Sequence, residues 1–130
     1  MPALEVENLP QTRLLTRGET VYLECLPESR VASERAALDL VAACGEGGTH
    51  RLLLHGASLP DDFFNLRSGL AGAVLLKFSN YYLKVALVLP PDPAHGGKFG
   101  EWMLETNRGS EFRVYPTREQ AESWLVSGPA

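Results

Sequence analysis

The 130-residue chain carries 12 Lys and Arg against 16 Asp and Glu, for a formal net charge of −4, and is 45% hydrophobic and 22% charged. Those proportions belong to one globular domain large enough to bury a core without disulfide or metal staples, and they exclude an intrinsically disordered chain. The acidic balance, with no Lys/Arg cluster, excludes a broad surface that tracks nucleic-acid phosphates.

The first extended pieces fall between Ala3 and Glu24. Leu4 and Val6 alternate with Glu5 and Glu7, Leu14 and Leu15 lead into Arg17-Gly18-Glu19, and Val21 and Leu23 alternate with Tyr22 and Glu24. A glycine-centred turn between two such runs predicts a β-hairpin, and Pro27 ends its second strand. Ser33 ahead of Glu34 predicts a capped helix whose Ala37, Leu40, Val41 and Cys44 share a face, stopped by Gly45, Gly47 and Gly48. RLLLH, Arg51 to His55, is continuously apolar in its middle, the pattern of a strand buried on both faces.

Ser58-Leu59-Pro60-Asp61 reads as a small capped turn carrying Phe63 and Phe64. Beyond it, RSGLAGAVLLKFSNYY, Arg67 to Tyr82, is the longest nearly uncharged run, with only Lys77 charged after Arg67. Leu70, Val74 and Phe78 form one stripe at helical spacing, and Ala71, Leu75, Phe78 and Tyr82 a second beside it. A helix apolar around most of its circumference has to be covered on more than one side, by its own neighbours or by a second copy of the chain. Another buried strand, KVALVL from Lys84 to Leu89, is broken by Pro90-Pro91. After the loop from Pro90 to Gly97, the spacing of Phe99, Trp102 and Met103 predicts an amphipathic helix ended by Asn107-Arg108-Gly109, with Gly109 as a left-handed cap. Phe112 and Val114 alternate with Arg113 and Tyr115 as in an edge strand. Thr117 and Gln120 then form a capping box for a last helix that buries Ala121, Trp124 and Leu125.

Hairpin, helix, strand, helix, strand, helix, strand, helix is the order of a single α/β domain spanning the whole chain. Its predicted centre is a mixed, mostly parallel sheet with the hairpin as an antiparallel edge and about four helices around it. No internal repeat is visible. Cys25 and Cys44 lack CxxC spacing, and MPALEVENLP has no basic segment followed by an apolar one, so the expectation is buried, reduced thiols in a cytoplasmic protein. No apolar run approaches the length of a membrane span.

LPDDFFNLRSGLAGAVLLKFSNYYLKVALV, Leu59 to Val88, followed by the Phe99 to Trp102 helix start and by ETNRG at Glu105 to Gly109, resembles a bacterial family of domains of unknown function, DUF4180. The carriers are the FF-x-L-x-[ST]-GLAG segment and the [ST]-NRG segment, and the resemblance extends weakly to the hairpin. Two departures stand out: Pro90-Pro91-Asp92-Pro93 replaces a short Gly-Asp turn, and Ala73 and Leu76 stand in place of Glu and Gln. More loosely, the chain is similar to the anti-sigma-factor-antagonist (STAS) and SpoIIAA-like folds. These also follow a buried strand with a helix opening in Ser-Gly-Leu, and end on a short strand and a capped helix bearing Trp-Leu. That similarity implies a phosphorylation switch at Ser68, although the preceding loop, Gly56 to Arg67, is longer here.

Read from the residues, Ser68 is either an ordinary capping serine or a regulatory site, since a phosphate at a helix N-terminus meets unpaired N–H groups and the positive end of the dipole. Asp61 and Asp62 are adjacent loop carboxylates whose simplest role is to offset a helix dipole. Asn107 and Arg108 form a cap turn in which the guanidinium pairs with Glu105 or Glu111, or takes a ligand carboxylate. His50 and His55 bracket a strand and cannot share a metal, so neither metal nor cofactor is expected. Gly96-Gly97-Lys98 lacks the earlier glycine and the following Ser or Thr of a phosphate loop. The reading that results is a non-enzymatic regulatory or protein-interaction module, homodimeric, working through Ser68, the Asp61 to Phe64 turn and the proline loop. The alternative is a small-molecule binder or enzyme using His55, Asp61 and Arg108 in a cleft at the C-terminal ends of the buried strands.

Overall fold

The computed structural model describes residues 10–130, so the alternation from Ala3 to Glu7 lies outside the described residues. The elements are β1 (Thr12–Arg17), β2 (Thr20–Cys25), α1 (Glu34–Glu46), β3 (Arg51–His55), α2 (Asp61–Phe64), α3 (Leu70–Asn80), β4 (Lys84–Val88), α4 (Gly97–Thr106), β5 (Phe112–Tyr115) and α5 (Arg118–Leu125). Short 3-10 turns occupy Gly56–Ser58, Leu66–Ser68 and Pro93–His95. The strands form one sheet in the order β1-β2-β3-β4-β5. β1 and β2 are antiparallel around a turn at Gly18, φ +63, and every later pairing is parallel. The mixed sheet with a hairpin edge is the one the sequence predicts. Among the described residues the α-helices number five, because α2 forms a complete turn where only a capped turn is expected.

The strands step across the sheet in one direction, and their connecting helices share one face. Leu23, Leu52, Val85 and Phe112 lie in register across four strands and point into a core built with α1, α2, α3 and α4. Among the described residues, α5 is the helix on the opposite face, where it buries Ala121 and Leu125 against Tyr22, Leu53, Ala86 and Val88. β3 and β4 are therefore covered on both sides, which is why their sequences read as continuous apolar runs. β2 shares that environment, and here the alternation of Val21 and Leu23 with Tyr22 and Glu24 misleads: all four residues from Tyr22 to Cys25 are buried.

α3 is less enclosed than its composition implies. Ala71, Val74 and Phe78 are buried against α1 and the sheet, Leu70 and Leu75 are half-buried, and Leu76 remains exposed. Gly72 and Ala73 make the run look apolar but have little surface to hide, and Tyr81 and Tyr82 lie past the helix end. Tyr82 adopts φ +61, unique among the described non-glycine residues, while the Leu83 N–H donates back to Phe78 O and the Tyr82 N–H to Ser79 O. This is the Schellman closure, with tyrosine where glycine is usual. Gly109 is not left-handed, against expectation. α4 closes on Asn107, in right-handed conformation, whose N–H donates to Glu105 O and Met103 O.

The Asn107 side chain explains why the helix ends there. Its amide donates to Val114 O at 3.1 Å and accepts from Val114 N at 2.7 Å, so it pairs with the outer edge of β5 as a neighbouring strand would. The capping residues otherwise behave largely as expected. Ser33 accepts from Ala36 N and Thr117 from Gln120 N. Gln120 completes only half a capping box, since its side-chain oxygen accepts from the Thr117 hydroxyl and not from the Thr117 N–H.

Candidate functional site

Three places concentrate polar side chains: the sheet face under α5, the carboxyl-terminal end of the parallel strands, and the opposite end near Arg108. The first is a saturated network. Glu24, 2% exposed, receives Arg13 Nε at 2.9 Å, His55 Nε2 at 2.6 Å and Arg118 Nη2 at 3.1 Å. Arg118 also donates to the Tyr22 hydroxyl at 3.0 Å, and Glu122 pairs with Tyr22 and Arg17. Burial by itself would raise the Glu24 carboxyl, but the bonds from Arg118, His55 and Arg13 outweigh it and hold the group at about 2. Burial and then its bond to the Glu122 carboxylate push the Tyr22 hydroxyl up, and the bond to Glu24 raises Arg118. Each charge in the network has an opposite partner, so it ties β1, β2, β3 and α5 together and leaves no net charge uncompensated to attract a ligand.

The far end of α5 is closed by cations as well. Arg51 donates to the carbonyls of Leu125 at 2.6 Å and Gly128 at 2.7 Å, and Lys84 donates to that of Ser127 while lying 4.7 Å from the centre of the Trp124 ring. Positive charge at a helix C-terminus suits the dipole. Burial, reinforced by Arg51 and Arg113, lowers the Lys84 pKa.

The carboxyl-terminal end is the opposite case. α2 places Phe63 in the core, and burying that ring, worth about 2–3 kcal/mol, holds a helix far too short to stand alone. Phe64 is thereby turned to the rim, where it stacks on His95 of the proline loop with ring centres 4.2 Å apart. A cleft opens on each side of this stack. One, of about 340 Å³, is lined by Asp61, Phe64, Pro90, Asp92 and His95 among others. The second, of about 380 Å³, is lined by Phe64, Leu66, Arg67, Gly96, Lys98 and Phe99 among others. Asp61 and Asp62 occupy the first turn of α2, exposed, as dipole partners. Ser68 is exposed and ends the 3-10 turn ahead of α3. Its hydroxyl accepts from Leu70 N at 3.2 Å and donates to Asp62 O at 2.5 Å. The N-cap position itself belongs to Gly69, whose φ of +78 a side chain would strain.

The structure thus brings Asp61, Asp62 and Ser68 together with the proline loop. It does not bring His55 or Arg108 to them. His55 points to the α5 face, and Arg108 lies between α4 and β5, at the other end of the sheet, exposed and 3.7 Å from Glu105. Nor does the strand order reverse anywhere, so the crevice that doubly wound sheets open at such a reversal has no place to form. Cys25 and Cys44 are buried and free, and burial raises them to about 11 and about 12, away from thiolate chemistry. Among the described residues no group of three or more His, Cys, Asp or Glu side chains could hold a metal ion, and no helix is long and apolar enough to cross a membrane.

Glu24, Arg118 and Arg67 are absent from the sequence-based candidates, and Lys98 enters them only in a glycine-rich segment set aside for lacking the rest of a phosphate loop. Arg118 does leave a trace: a cation in the first turn of a helix opposes the dipole, which signals a compensating anion nearby. Nothing in the sequence pairs Arg67 with Lys98. Set beside known proteins, residues 17–125 match the family model described as Domain of unknown function (DUF4180). No curated protein and no solved structure matches the chain.

Proposed function

For a chain that belongs to the DUF4180 family, we propose a non-enzymatic protein-interaction module whose working face is the carboxyl-terminal end of the sheet. The observation that carries this reading is the Phe64–His95 stack at 4.2 Å. It joins the 61–68 segment to the proline loop in one continuous surface, with exposed Asp61, Asp62 and Ser68 on it. Loops held on a rigid scaffold are where binding residues concentrate. Ser68 is the point of regulation, because it is exposed and its hydroxyl bridges α2 to α3, so charge added there alters that link.

The test is affinity capture from the source organism's lysate, with wild type, Ser68→Asp, Asp61→Lys/Asp62→Lys and, as a control at the opposite end of the sheet, Glu46→Lys on the exposed end of α1 as parallel baits. A partner kept by wild type and the control but lost from the α2 variant supports this face, and its loss from Ser68→Asp supports the switch. A partner held equally by all four baits removes the face from consideration. No partner on any folded bait removes the interaction reading.

The same proposal includes a homodimer through the outward side of α3. Leu76 is 58% and Tyr82 81% exposed, beside a groove of about 630 Å³ lined by Leu75, Leu76, Leu83, Glu105 and Phe112 among others. Glu105 on this surface pairs with the neighbouring Arg108 within the chain, and exchange of that pair across a two-fold axis is the contact that favours a second copy as the occupant. Sedimentation velocity should show a dimer for wild type and a monomer for Leu76→Glu. A monomeric wild type at high concentration would discard the dimer.

A further inference from the structure

Of the 12 Lys and Arg side chains, six make ion pairs, at Arg13, Arg17, Arg35, Lys77, Arg108 and Arg118. Arg51, Lys84 and Arg113 donate to backbone carbonyls. Arg30, Arg67 and Lys98 make no side-chain hydrogen bond or ion pair among the described residues, and two of these three line the same cleft, from positions 31 residues apart. In a chain of net charge −4 that convergence is not a consequence of composition. The cleft has a volume of about 380 Å³, and besides the two cations it is lined by the apolar side chains of Phe64, Leu66 and Phe99 and by the polar Asn65. Its floor reaches Gly96, which precedes α4 without a side chain to cap it, and no acid occupies the first turn of that helix.

We propose that this cleft binds a small phosphate monoester carried on an apolar or aromatic body. A phosphate monoester bears a charge of roughly −1.5 to −2 at neutral pH, which matches two unpaired cations, whereas a carboxylate would leave one of them uncompensated. The rings of Phe64 and Phe99 meet at 5.1 Å in an edge-to-face pair and give the apolar body of the ligand a surface to lie against. The volume is in the range of small-molecule sites. The unoccupied N–H groups in the first turn of α4 add to the field that the two side chains create, but the two side chains are the decisive feature. The site does not depend on the protein-interaction reading, since a small ester can bind to a chain that captures no partner.

The experiment is an NMR titration of the full chain, uniformly labelled with nitrogen-15, with phenyl phosphate and with inorganic phosphate. Phenyl phosphate should move the backbone resonances of Arg67, Lys98 and Phe99 saturably, and bind several-fold more tightly than inorganic phosphate. The Arg67→Gln/Lys98→Gln variant should bind it at least tenfold more weakly with an unchanged melting temperature, because neither side chain has a partner to lose. Binding should also weaken as salt rises. Absence of a saturable shift, or equal affinity in the double variant, would overturn the site. Inorganic phosphate binding as tightly as phenyl phosphate would overturn the apolar half of the assignment.

Discussion

Arg118 and Lys98 both stand in the first turn of a helix, where a cation opposes the dipole, yet they meet opposite surroundings. Arg118 finds Glu24 beneath it and becomes the centre of a network in which every charge has an opposite partner. Lys98 makes no ion pair among the described residues, and it lines a cleft together with a second cation, Arg67. The lesson is that a charged cluster is evidence of a site only when its groups lack partners. The network under α5 is the more elaborate of the two and is the one whose charges are already paired.

The largest test of that contrast is Glu24→Gln, which leaves Arg118, Arg13 and His55 facing a neutral group. Urea unfolding at neutral pH should show a loss of about 3 kcal/mol, the cost of breaking a buried ion pair from one side. The same carboxylate sets a pH dependence. Its folded pKa, about 2, lies below its ordinary 4.5, so its contribution is complete above about pH 4.5 and is lost as pH falls toward 2. The stability difference between wild type and Glu24→Gln should therefore shrink across that window, and a constant difference would mean that Glu24 is not held as a carboxylate. Asn107→Ala comes next. It strips both partners from the edge of Val114, and denaturation should report a cost of ~1–2 kcal/mol. The smallest effect belongs to the cleft: Arg67→Gln and Lys98→Gln should each change stability by less than about 0.5 kcal/mol. A larger loss would show that these side chains have structural partners, and the contrast with Arg118 would fail.

The legible parts of this fold were those where local chemistry and tertiary structure ask for the same thing. Ser33 caps α1 because its hydroxyl meets an N–H three residues away, and Pro90-Pro91 stops β4 because proline cannot donate to a ladder. RLLLH is a strand covered on both faces whatever covers it. In the candidate site, adjacency along the chain placed Asp61, Asp62 and Ser68 together. It could not assemble His55 or Arg108 with them, because a side chain at the end of a strand chooses its face by parity, and a loop between helix and strand chooses its end of the sheet by topology.

Periodicity, caps and turns within a few residues are enough to specify the order of helices and strands, most of their boundaries, the hairpin and the buried, free cysteines. The burial of Glu24 is a product of long-range packing, because its position alternates correctly for an exposed residue until α5 returns from the far end of the chain to cover it. So is the cleft that Arg67 and Lys98 share. Charges 31 residues apart leave no period to read, and their meeting depends on how β4 and the proline loop carry α4 back across the sheet.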